Sequence, residues 1–428
     1  MTFEEYSIEK TDKKDRAVIR EISLEDGFYE RDDDLRTPYD RDYTRIIHCF
    51  GFRRLKHKTQ VFFHPYNDHV CTRIEHALHV ASIASTICKK LGLNTELVNA
   101  IAIGHDLGHA PFGHHGEWVL DDLWRENIEG LARKIEGKDK SIQFWHEKNS
   151  LFMVDKIETV KDYGGFQQNL NLTYAVRDGI ICHCGENEVK ELIPRGTIQN
   201  IDLNTIEEPG TTNPYTWEGC VVRVSDIISY LGRDIEDAEM SDIVNKRMLD
   251  DLKNNINRST TYNLKDISNG VIIHILIGDL CKTSSPENGL SFSDDGIKLL
   301  RQVKKFDYKS IYRDNKIKTY KKYINLVLVT IFDELSQYYE TDIVKCLLRM
   351  RKKTEPVFQE FIRWLERYHE PFDGKYKDYI SGFETRQKVK PVYLIKNKKD
   401  YMKAVIHYIS GFTDNFAISC YNDVKSIV

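Results

Sequence analysis

Residues 105–117 read HDLGHAPFGHHGE and hold four histidines, one aspartate and one glutamate within thirteen positions. The same run contains three glycines and one proline, which interrupt a regular helix. A solvent-facing helix gains nothing from this mixture, whereas imidazole and carboxylate groups serve as metal ligands and as proton carriers. We therefore expect the chemistry of this protein to lie in this run, in a loop whose ends are fixed by helices.

The segments on either side of the run have helical periodicity. Residues 73–91 carry apolar side chains at helical spacing and end at Gly92, and Asn94 is the predicted N-cap of a second helix that reaches about Asp106. A long helix is predicted at 217–240, with apolar residues along one side. The run is therefore predicted to begin at a helix C-terminus and to open into a glycine-rich loop.

The remaining sequence is also mainly helical in pattern, so the predicted fold class is all-α with at most minor β structure. A short apolar segment at 392–395 is the candidate strand. We predict further helices at 117–131, 145–160, 169–184, 243–255, 266–281, 296–305, 318–339, 342–352, 357–367 and 401–420.

Composition excludes several classes of protein. The 428 residues are 41% hydrophobic and 30% charged, an ordinary globular balance, and no run of ~18 apolar residues predicts a membrane span. The N-terminus is charged and lacks the apolar segment of a secretory signal, and the nine cysteines show no framework spacing, so we expect a cytoplasmic protein with reduced thiols. A net charge of −4 argues against a general nucleic-acid binder.

Four residues form a candidate metal site: His76, His105, Asp106 and Asp226. His76 lies on the first predicted helix, His105 and Asp106 end the second, and Asp226 lies on the long helix. Two imidazoles and two carboxylates suit a divalent ion such as Mn, Fe or Mg, and the negative end of a helix helps to hold a cation. The alternative is that His76 is a core histidine and that His105 and Asp106 cap a helix.

A rival metal cluster, Cys182-His183-Cys184, lies further along the chain. Zinc sites generally pair two such ligands with a second pair elsewhere, and no second pair is evident in the sequence. Buried thiols are therefore the favoured interpretation of this segment.

An ordered series of motifs makes the chain resemble the HD-domain deoxynucleoside triphosphate triphosphohydrolases, the bacterial dGTPase-like enzymes. The resemblance extends over nearly the whole chain. The motifs are RRLKHKTQVF (53–62), TRIEH (72–76), HDLGHAPFGHHGE (105–117), LNLTYAV (170–176), SDIISYLGRDIEDA (225–238) and YISGFTDNFA (408–417).

This resemblance implies a helical HD-domain core with additional C-terminal helices. The predicted division is a charged N-terminal arm at 1–35, an HD phosphohydrolase core at 36–240 and a helical C-terminal region at 241–428 packed on that core.

The resemblance also implies a cofactor and a reaction. One divalent metal ion per subunit, Mn, Mg or Fe, is held by the four residues of the candidate metal site. A dNTP, with dGTP among the substrates, is hydrolysed in one step to deoxynucleoside and inorganic triphosphate.

The histidines of the run acquire roles from the same resemblance. His114 is the implied acid that protonates the leaving 5′-oxygen, and Glu117 holds or tunes it. His109 lies close to the α-phosphate in relatives, and His146 is similar to another phosphate-facing histidine.

Substrate contacts are implied as well. Arg73 matches a phosphate-contacting arginine, Gln60 and Asp234 match residues that hydrogen-bond the sugar 3′-hydroxyl, and Tyr230 matches a ring that packs under the sugar. The spacing of Asp226, Tyr230 and Asp234 independently places all three on one helix face. For Tyr230 by itself, core packing is the alternative.

Relatives of this kind assemble as tetramers or hexamers, often with dNTP or single-stranded DNA as an effector, so the implied partners are a dNTP substrate, further copies of the chain and such an effector. No membrane partner is expected. The basic stretch at 386–399 is a candidate effector site, and its alternative is a solvated lysine surface.

Two other functions stay open at this point. One is a different HD-type nucleotide phosphohydrolase, acting on a monophosphate, a cyclic nucleotide or an alarmone. The other is a nucleotide-sensing regulatory subunit that binds without turnover. The implied sugar contacts argue against the first, and the intact histidine–carboxylate set argues against the second.

Overall fold

The computed structural model describes residues 2–6, 35–62, 69–132, 142–162, 164–185, 191–195, 201–370 and 390–425. The α-helices in these ranges are α1 (Pro38–His48), α2 (Phe50–Arg54), α3 (Arg73–Leu91), α4 (Thr95–Gly104), α5 (Gly113–Trp124), α6 (His146–Phe152), α7 (Tyr174–Ile181), α8 (Trp217–Met240), α9 (Lys246–Ser259), α10 (Asn269–Thr283), α11 (Asp294–Phe306), α12 (Asn315–Ser336), α13 (Ile343–Met350), α14 (Pro356–Tyr368), α15 (Lys398–Ser410) and α16 (Asp414–Lys425).

Short helical turns and one small hairpin complete the described structure. The strands β1 (Thr159–Lys161) and β2 (Gln167–Asn169) pair antiparallel. The predicted all-α class with minor β structure is therefore confirmed. The turns are 3₁₀-helical at Phe3–Tyr6, Leu55–His57 and Leu203–Thr205, and π-helical at Arg125–Glu129, Met153–Ile157 and Asp307–Ile311.

The helices predicted at 73–91 and 217–240 have the bounds of α3 and α8. The single helix predicted at 169–184 is wrong, because β2 occupies its start and α7 begins only at Tyr174. Asn171 lies between them with a φ of 46°, a left-handed conformation that no helix can contain.

Two predictions near the C-terminus are also wrong in part. The helix predicted at 401–420 is two helices, because the chain turns at Gly411 before α16 begins. The candidate strand at 392–395 forms only one isolated bridge, between Tyr393 and His369. Of the predicted arm, residues 1 and 7–34 lie outside the described residues, as do residues 386–389 of the basic stretch.

The chain divides into two compact units, and the predicted boundaries at 36–240 and 241–428 stay a prediction. The first unit contains Met1–Ile47, Gln60–Asp106 and Leu172–Tyr320. The second contains His48–Thr59, Leu107–Asn171 and Lys321–Val428. Among the described helices, none combines the length and apolar character that a membrane span requires.

In the first unit, local capping fixes the helices that carry the candidate metal ligands. The Glu75 carboxylate accepts hydrogen bonds from the backbone N–H and the hydroxyl of Thr72, which starts α3. Gly92, with a φ of 77°, ends that helix, and the Asn94 side chain caps the first turn of α4. The Thr216 hydroxyl caps α8 by accepting from the Gly219 N–H.

In the second unit, the glycine-rich loop ends in an unusual backbone conformation. Phe112 has a φ of 64°, a left-handed conformation that is costly for a residue with a bulky side chain. It immediately precedes α5, so the start of that helix depends on whatever holds Phe112 in place. Gly116 is also required, since a Cβ there would lie 1.8 Å from the Pro111 carbonyl oxygen.

Candidate functional site

Three of the four predicted metal ligands converge in the first unit. His76 Nε2 on α3 lies 2.9 Å from Asp226 Oδ1 on α8, and His105 Nε2 at the end of α4 lies 4.0 Å from the same oxygen. One ligand atom from each of these residues lies within 4.8 Å of the others. The structure therefore brings together three helices through residues that are up to 150 positions apart.

Asp106, the fourth predicted ligand, lies against His105 and Arg73. Its Oδ1 is 3.4 Å from His105 Nε2, and its Oδ2 accepts a hydrogen bond of 2.6 Å from Arg73 Nη1. The other terminal nitrogen of Arg73 donates to the Gln60 carbonyl oxygen at 3.3 Å. Because both ends of this buried guanidinium contact protein oxygens, its contact with phosphate stays a prediction.

The electrostatics of these residues suit coordination of a divalent cation. Burial lowers the pKa of His105 despite the neighbouring carboxylates, which favours the neutral imidazole that a metal requires. Burial alone would raise the pKa of Asp226, but the His76 hydrogen bond and the nearby imidazoles bring it well below its usual range. Imidazoles beside carboxylates are a donor set of the Mn, Fe or Mg type.

Hydrogen bonds to the remote ring nitrogens fix the orientation of the two histidines. The Nδ1 atom of His105 lies 2.6 Å from the carbonyl oxygen of Ala102, which can only accept, so the proton resides on Nδ1 and Nε2 keeps its lone pair. His76 Nδ1 lies 3.4 Å from the Ser229 hydroxyl. Both rings therefore present Nε2 to the carboxylates.

The predicted sugar-binding residues also lie in the first unit. The Oε1 atom of Gln60 is buried and has no hydrogen-bond partner among the described residues. Asp234 is buried, its Oδ2 accepts from the Tyr312 hydroxyl, and burial raises its pKa to about 7. Its Oδ1 has no protein partner in the described part of the chain, and Tyr230 is half-buried one turn earlier on α8.

The four predicted catalytic residues form a second cluster, in the second unit. Ligand atoms of His109, His114, Glu117 and His146 lie within 4.8 Å of one another. The rings of His109 and His146 stack with centroids 4.2 Å apart, and the His114 ring lies 5.0 Å from the former and 5.6 Å from the latter. We call these four residues the histidine–glutamate cluster.

Glu117 organises this cluster through His146. Its Oε2 lies 2.7 Å from His146 Nδ1 and accepts the His146 backbone N–H at 3.0 Å. Burial alone would raise the pKa of Glu117, but the charge and hydrogen bonds of His146 bring it below its ordinary value. Glu117 is therefore an ionised acceptor that directs His146, whereas His114 is exposed and accessible to a substrate.

Side chains that sequence reasoning did not assign hold this loop. The buried Lys58 ammonium donates to the carbonyl oxygens of His109 and Ser410. The Asn149 amide donates to the Gly108 carbonyl at 2.6 Å. Asp414 accepts from the Phe112 N–H at 2.8 Å through one oxygen, and from the Thr59 N–H and hydroxyl through the other.

Two of these supports did have a sequence signal. Lys58 lies in the motif at 53–62 and Asp414 in the motif at 408–417, both of which were noted as similar to family elements. Their partners are backbone groups more than 50 positions away, so the motifs alone could not assign them a role.

The two thiols of the Cys182-His183-Cys184 segment differ in environment. Cys182 is buried, and burial raises the pKa of its thiol, which disfavours the ionised form that zinc requires. Burial of Cys182 agrees with the favoured interpretation of buried thiols. Cys184 is half-buried, and its Sγ lies within 4.8 Å of a ring nitrogen of His183.

Comparison with known proteins gives one family. Residues 73–231 match the family model of the HD domain. Over 282 residues the chain is 36% identical to a deoxyguanosinetriphosphate triphosphohydrolase-like protein of Desulfatibacillum aliphaticivorans, covering 65% of this chain and 68% of the relative. A protein of the same description from Clostridium tetani is 34% identical over 310 residues, covering 71% and 74%.

A third relative covers still more of the sequence. The deoxyguanosinetriphosphate triphosphohydrolase-like protein of Caldanaerobacter subterraneus subsp. tengcongensis is 32% identical over 391 residues, or 91% of this chain and 86% of the relative. The match therefore includes both units and not only the HD domain. The chain belongs to the family of deoxyguanosinetriphosphate triphosphohydrolase-like proteins, which here carries an HD domain.

Proposed function

We propose that the protein hydrolyses deoxynucleoside triphosphates, with dGTP among its substrates, to deoxynucleoside and inorganic triphosphate in a metal-dependent reaction. The observation that carries this proposal is the convergence of His76, His105 and Asp226, whose ligand atoms lie within 4.8 Å of one another. The name of the relatives, which specifies dGTP and release of triphosphate, supports the choice of substrate and bond.

The proposed metal site consists of His76, His105, Asp106 and Asp226. When bound there, a divalent ion such as Mn²⁺ supplies positive charge that offsets the phosphate oxygens and acidifies a water molecule. Arg73 is the proposed positioning residue of this site, because its 2.6 Å bond to Asp106 orients that carboxylate.

The proposed reaction exchanges one bond to phosphorus for another. A water oxygen bonds to the α-phosphorus and the water releases a proton to solvent. The bond from the α-phosphorus to the 5′-oxygen breaks, and the deoxynucleoside leaves after its 5′-oxygen accepts a proton. His114 is the proposed donor of that proton, since an alkoxide is a poor leaving group. Its exposure and its distances to the buried His109 and His146 support this assignment.

The remaining members of the cluster have supporting roles in the proposal. Glu117 holds the His146 ring in one orientation, and its carboxylate forms an ion pair with that ring when the imidazole is protonated. His109 and His146, stacked on each other, present imidazole N–H groups to the phosphate oxygens. Buried, stacked imidazoles of this kind lose little entropy when they bind an anion.

Recognition of deoxyribose is proposed to use Gln60, Tyr230 and Asp234. The buried oxygens Gln60 Oε1 and Asp234 Oδ1 lack protein partners among the described residues, and a sugar hydroxyl would satisfy them. Half-buried Tyr230 is the proposed ring beneath the sugar. A cytoplasmic homo-oligomer regulated by a nucleotide or single-stranded DNA is part of the proposal, supported by the family resemblance.

Product analysis tests the proposal directly. The purified protein is incubated with each dNTP and NTP in the presence of Mn²⁺ or Mg²⁺, and the products are separated by ion-pair chromatography. Deoxynucleoside and tripolyphosphate are the expected products. Orthophosphate or pyrophosphate as the first product contradicts the proposal, as does undiminished activity of His105→Ala. His274→Ala, which changes an exposed histidine on α10, is the matched control.

A further inference from the structure

A fifth residue, His183, lies beside the candidate metal ligands in the first unit. One of its ring nitrogens lies within 4.8 Å of ligand atoms of both His105 and Asp106. The His183 and His105 rings meet edge to face with centroids 4.8 Å apart. His183 is buried and lies just beyond the end of α7, in a segment without a role in the function proposed above.

Close packing of α4 on α7 explains why the two histidines meet. A Cβ at Gly179 would lie 2.6 to 2.8 Å from three side-chain atoms of Ile101, so only glycine allows the two helices to approach this closely. His105 follows α4 and His183 follows shortly after α7. The packing therefore brings the imidazoles of His105 and His183 together at the ends of the two helices.

The same local hydrogen bond orients both rings. His183 Nδ1 lies 2.6 Å from the carbonyl oxygen of Ile180, as His105 Nδ1 does from Ala102, in each case three residues earlier. Because a carbonyl oxygen only accepts, Nδ1 carries the proton in each neutral ring and Nε2 keeps its lone pair. Metal-bound histidines commonly have this arrangement, with the remote nitrogen donating to a carbonyl.

The three side chains lie close enough together to share one ion. His105 Nε2 is 3.4 Å from Asp106 Oδ1, and a ring nitrogen of His183 lies within 4.8 Å of ligand atoms of both residues. A divalent cation can bond to all three groups, since imidazole and carboxylate are compatible ligands for one ion.

We propose that His183 coordinates the metal ion through Nε2, as a further ligand beside His76, His105, Asp106 and Asp226. This inference rests on the metal centre of the proposed function and deepens it. The donor set then contains three imidazoles and two carboxylates. The Cys182-His183-Cys184 segment thus contributes to a metal site through its histidine.

Direct metal binding tests this inference without an activity assay. Metal-free protein is titrated with MnCl₂ by calorimetry, for the wild type, His183→Ala, His183→Gln and His105→Ala. We expect the His183 variants to bind Mn²⁺ at least about tenfold more weakly than the wild type. His274→Ala, which changes an exposed histidine on α10, is the control and is expected to bind like the wild type.

The outcomes separate this inference from the proposed function. Mn²⁺ affinity of His183→Gln and His183→Ala within twofold of the wild type, together with lost binding in His105→Ala, overturns only the role of His183. Unchanged binding in all variants, His105→Ala included, overturns the metal centre itself. Weaker binding in His274→Ala as well as in the His183 variants shows that the loss is not specific to His183 and overturns its role as a ligand.

Pulsed EPR of Mn²⁺ bound to the wild type keeps the test valid even if a variant misfolds. Coordinated imidazole nitrogens couple to the electron spin, and the number of coupled nitrogens is counted in the spectrum. Three imidazole ligands are expected if His183 coordinates the ion. Two imidazole ligands overturn the proposal.

Discussion

The candidate metal site and the histidine–glutamate cluster use the same types of side chain but are supported in different ways. The metal site takes its residues from α3, α8 and the end of α4, whose bounds are fixed by local caps such as Thr72 and Asn94. The histidine–glutamate cluster depends on a loop that ends in a left-handed Phe112. Lys58 and Asp414, distant in sequence, hold that loop.

This difference has a physical consequence. Helix spacing places His76 and Asp226 on defined faces, so each ligand is positioned by many backbone hydrogen bonds. The loop that carries His109 is held by hydrogen bonds from single side chains such as Lys58 and Asp414. We therefore expect substitution of a metal ligand to abolish metal binding. Substitutions around the loop are expected to lower kcat by smaller amounts that differ from one residue to the next.

The largest effect is expected for His105→Ala. Loss of this imidazole removes a ligand from the centre of the site and forfeits several kcal/mol of charge stabilisation, so kcat/KM is expected to fall about 10⁴-fold. Metal content after dialysis, measured by mass spectrometry, is expected to fall with it. Retained metal with lost activity would contradict the assignment of His105 as a ligand.

His114→Ala is expected to lower kcat by about 10² to 10⁴-fold, the usual contribution of a general acid. Metal binding is expected to stay unchanged, because His114 belongs to the other cluster. A substrate with a better leaving group than the 5′-oxygen, such as a p-nitrophenyl ester, should recover much of the lost rate. His115→Ala, at the adjacent half-buried position, is the control. Equal loss on both substrates would argue against a proton-donating role.

Glu117→Gln is expected to lower kcat by about 30-fold, since a charged hydrogen bond to His146 contributes on the order of 2 kcal/mol. The substitution keeps the side-chain volume but removes the ionised acceptor. Asp122→Asn on the same helix is the matched control. Activity equal to the wild type would show that His146 needs no carboxylate partner.

The pH dependence of stability gives a second test at Glu117. Its pKa is lower in the folded protein than the ordinary value of 4.5, so its carboxylate stabilises the fold above that pH. This stabilisation is lost as the pH falls through the lower folded-state pKa. Urea unfolding is therefore expected to show a gap between wild type and Glu117→Gln at pH 7 that narrows below pH ~4. A gap that is independent of pH would contradict this assignment.

Asp414→Asn tests the support of the loop from the far end of the chain. The amide cannot accept from both Phe112 and Thr59, so one buried donor loses its partner at a cost of about 1 to 3 kcal/mol. We expect a lower melting temperature and a several-fold lower kcat, with Mn²⁺ affinity unchanged. Asp423→Asn on the same helix is the control. A loss of stability without any change in kcat would show that the loop does not rely on Asp414.

The contrast between the two regions also explains what the sequence could predict. The bounds of α3 and α8 followed from apolar periodicity, and the candidate ligands on them followed from residue type. The break at Asn171 and the side chains that hold the loop could not be predicted from the sequence, because they depend on contacts between residues far apart in the chain. His183 shows the same limit, since only the close approach at Gly179 brings it to His105.

Tyr312 was missed for that reason, and it gives the smallest expected effect. Its hydroxyl donates to Asp234, which is 78 positions away. Tyr312→Phe leaves Asp234 Oδ2 without this donor but retains the ring, so we expect KM for dNTP to rise several-fold and kcat to stay nearly constant. Tyr308→Phe, which changes an exposed tyrosine on the π-helical turn that precedes Tyr312, is the control. A fall in kcat as large as the rise in KM would show that Tyr312 acts on the reacting phosphate and not on the sugar. Recognition by the helices and catalysis by the supported loop could then no longer be told apart.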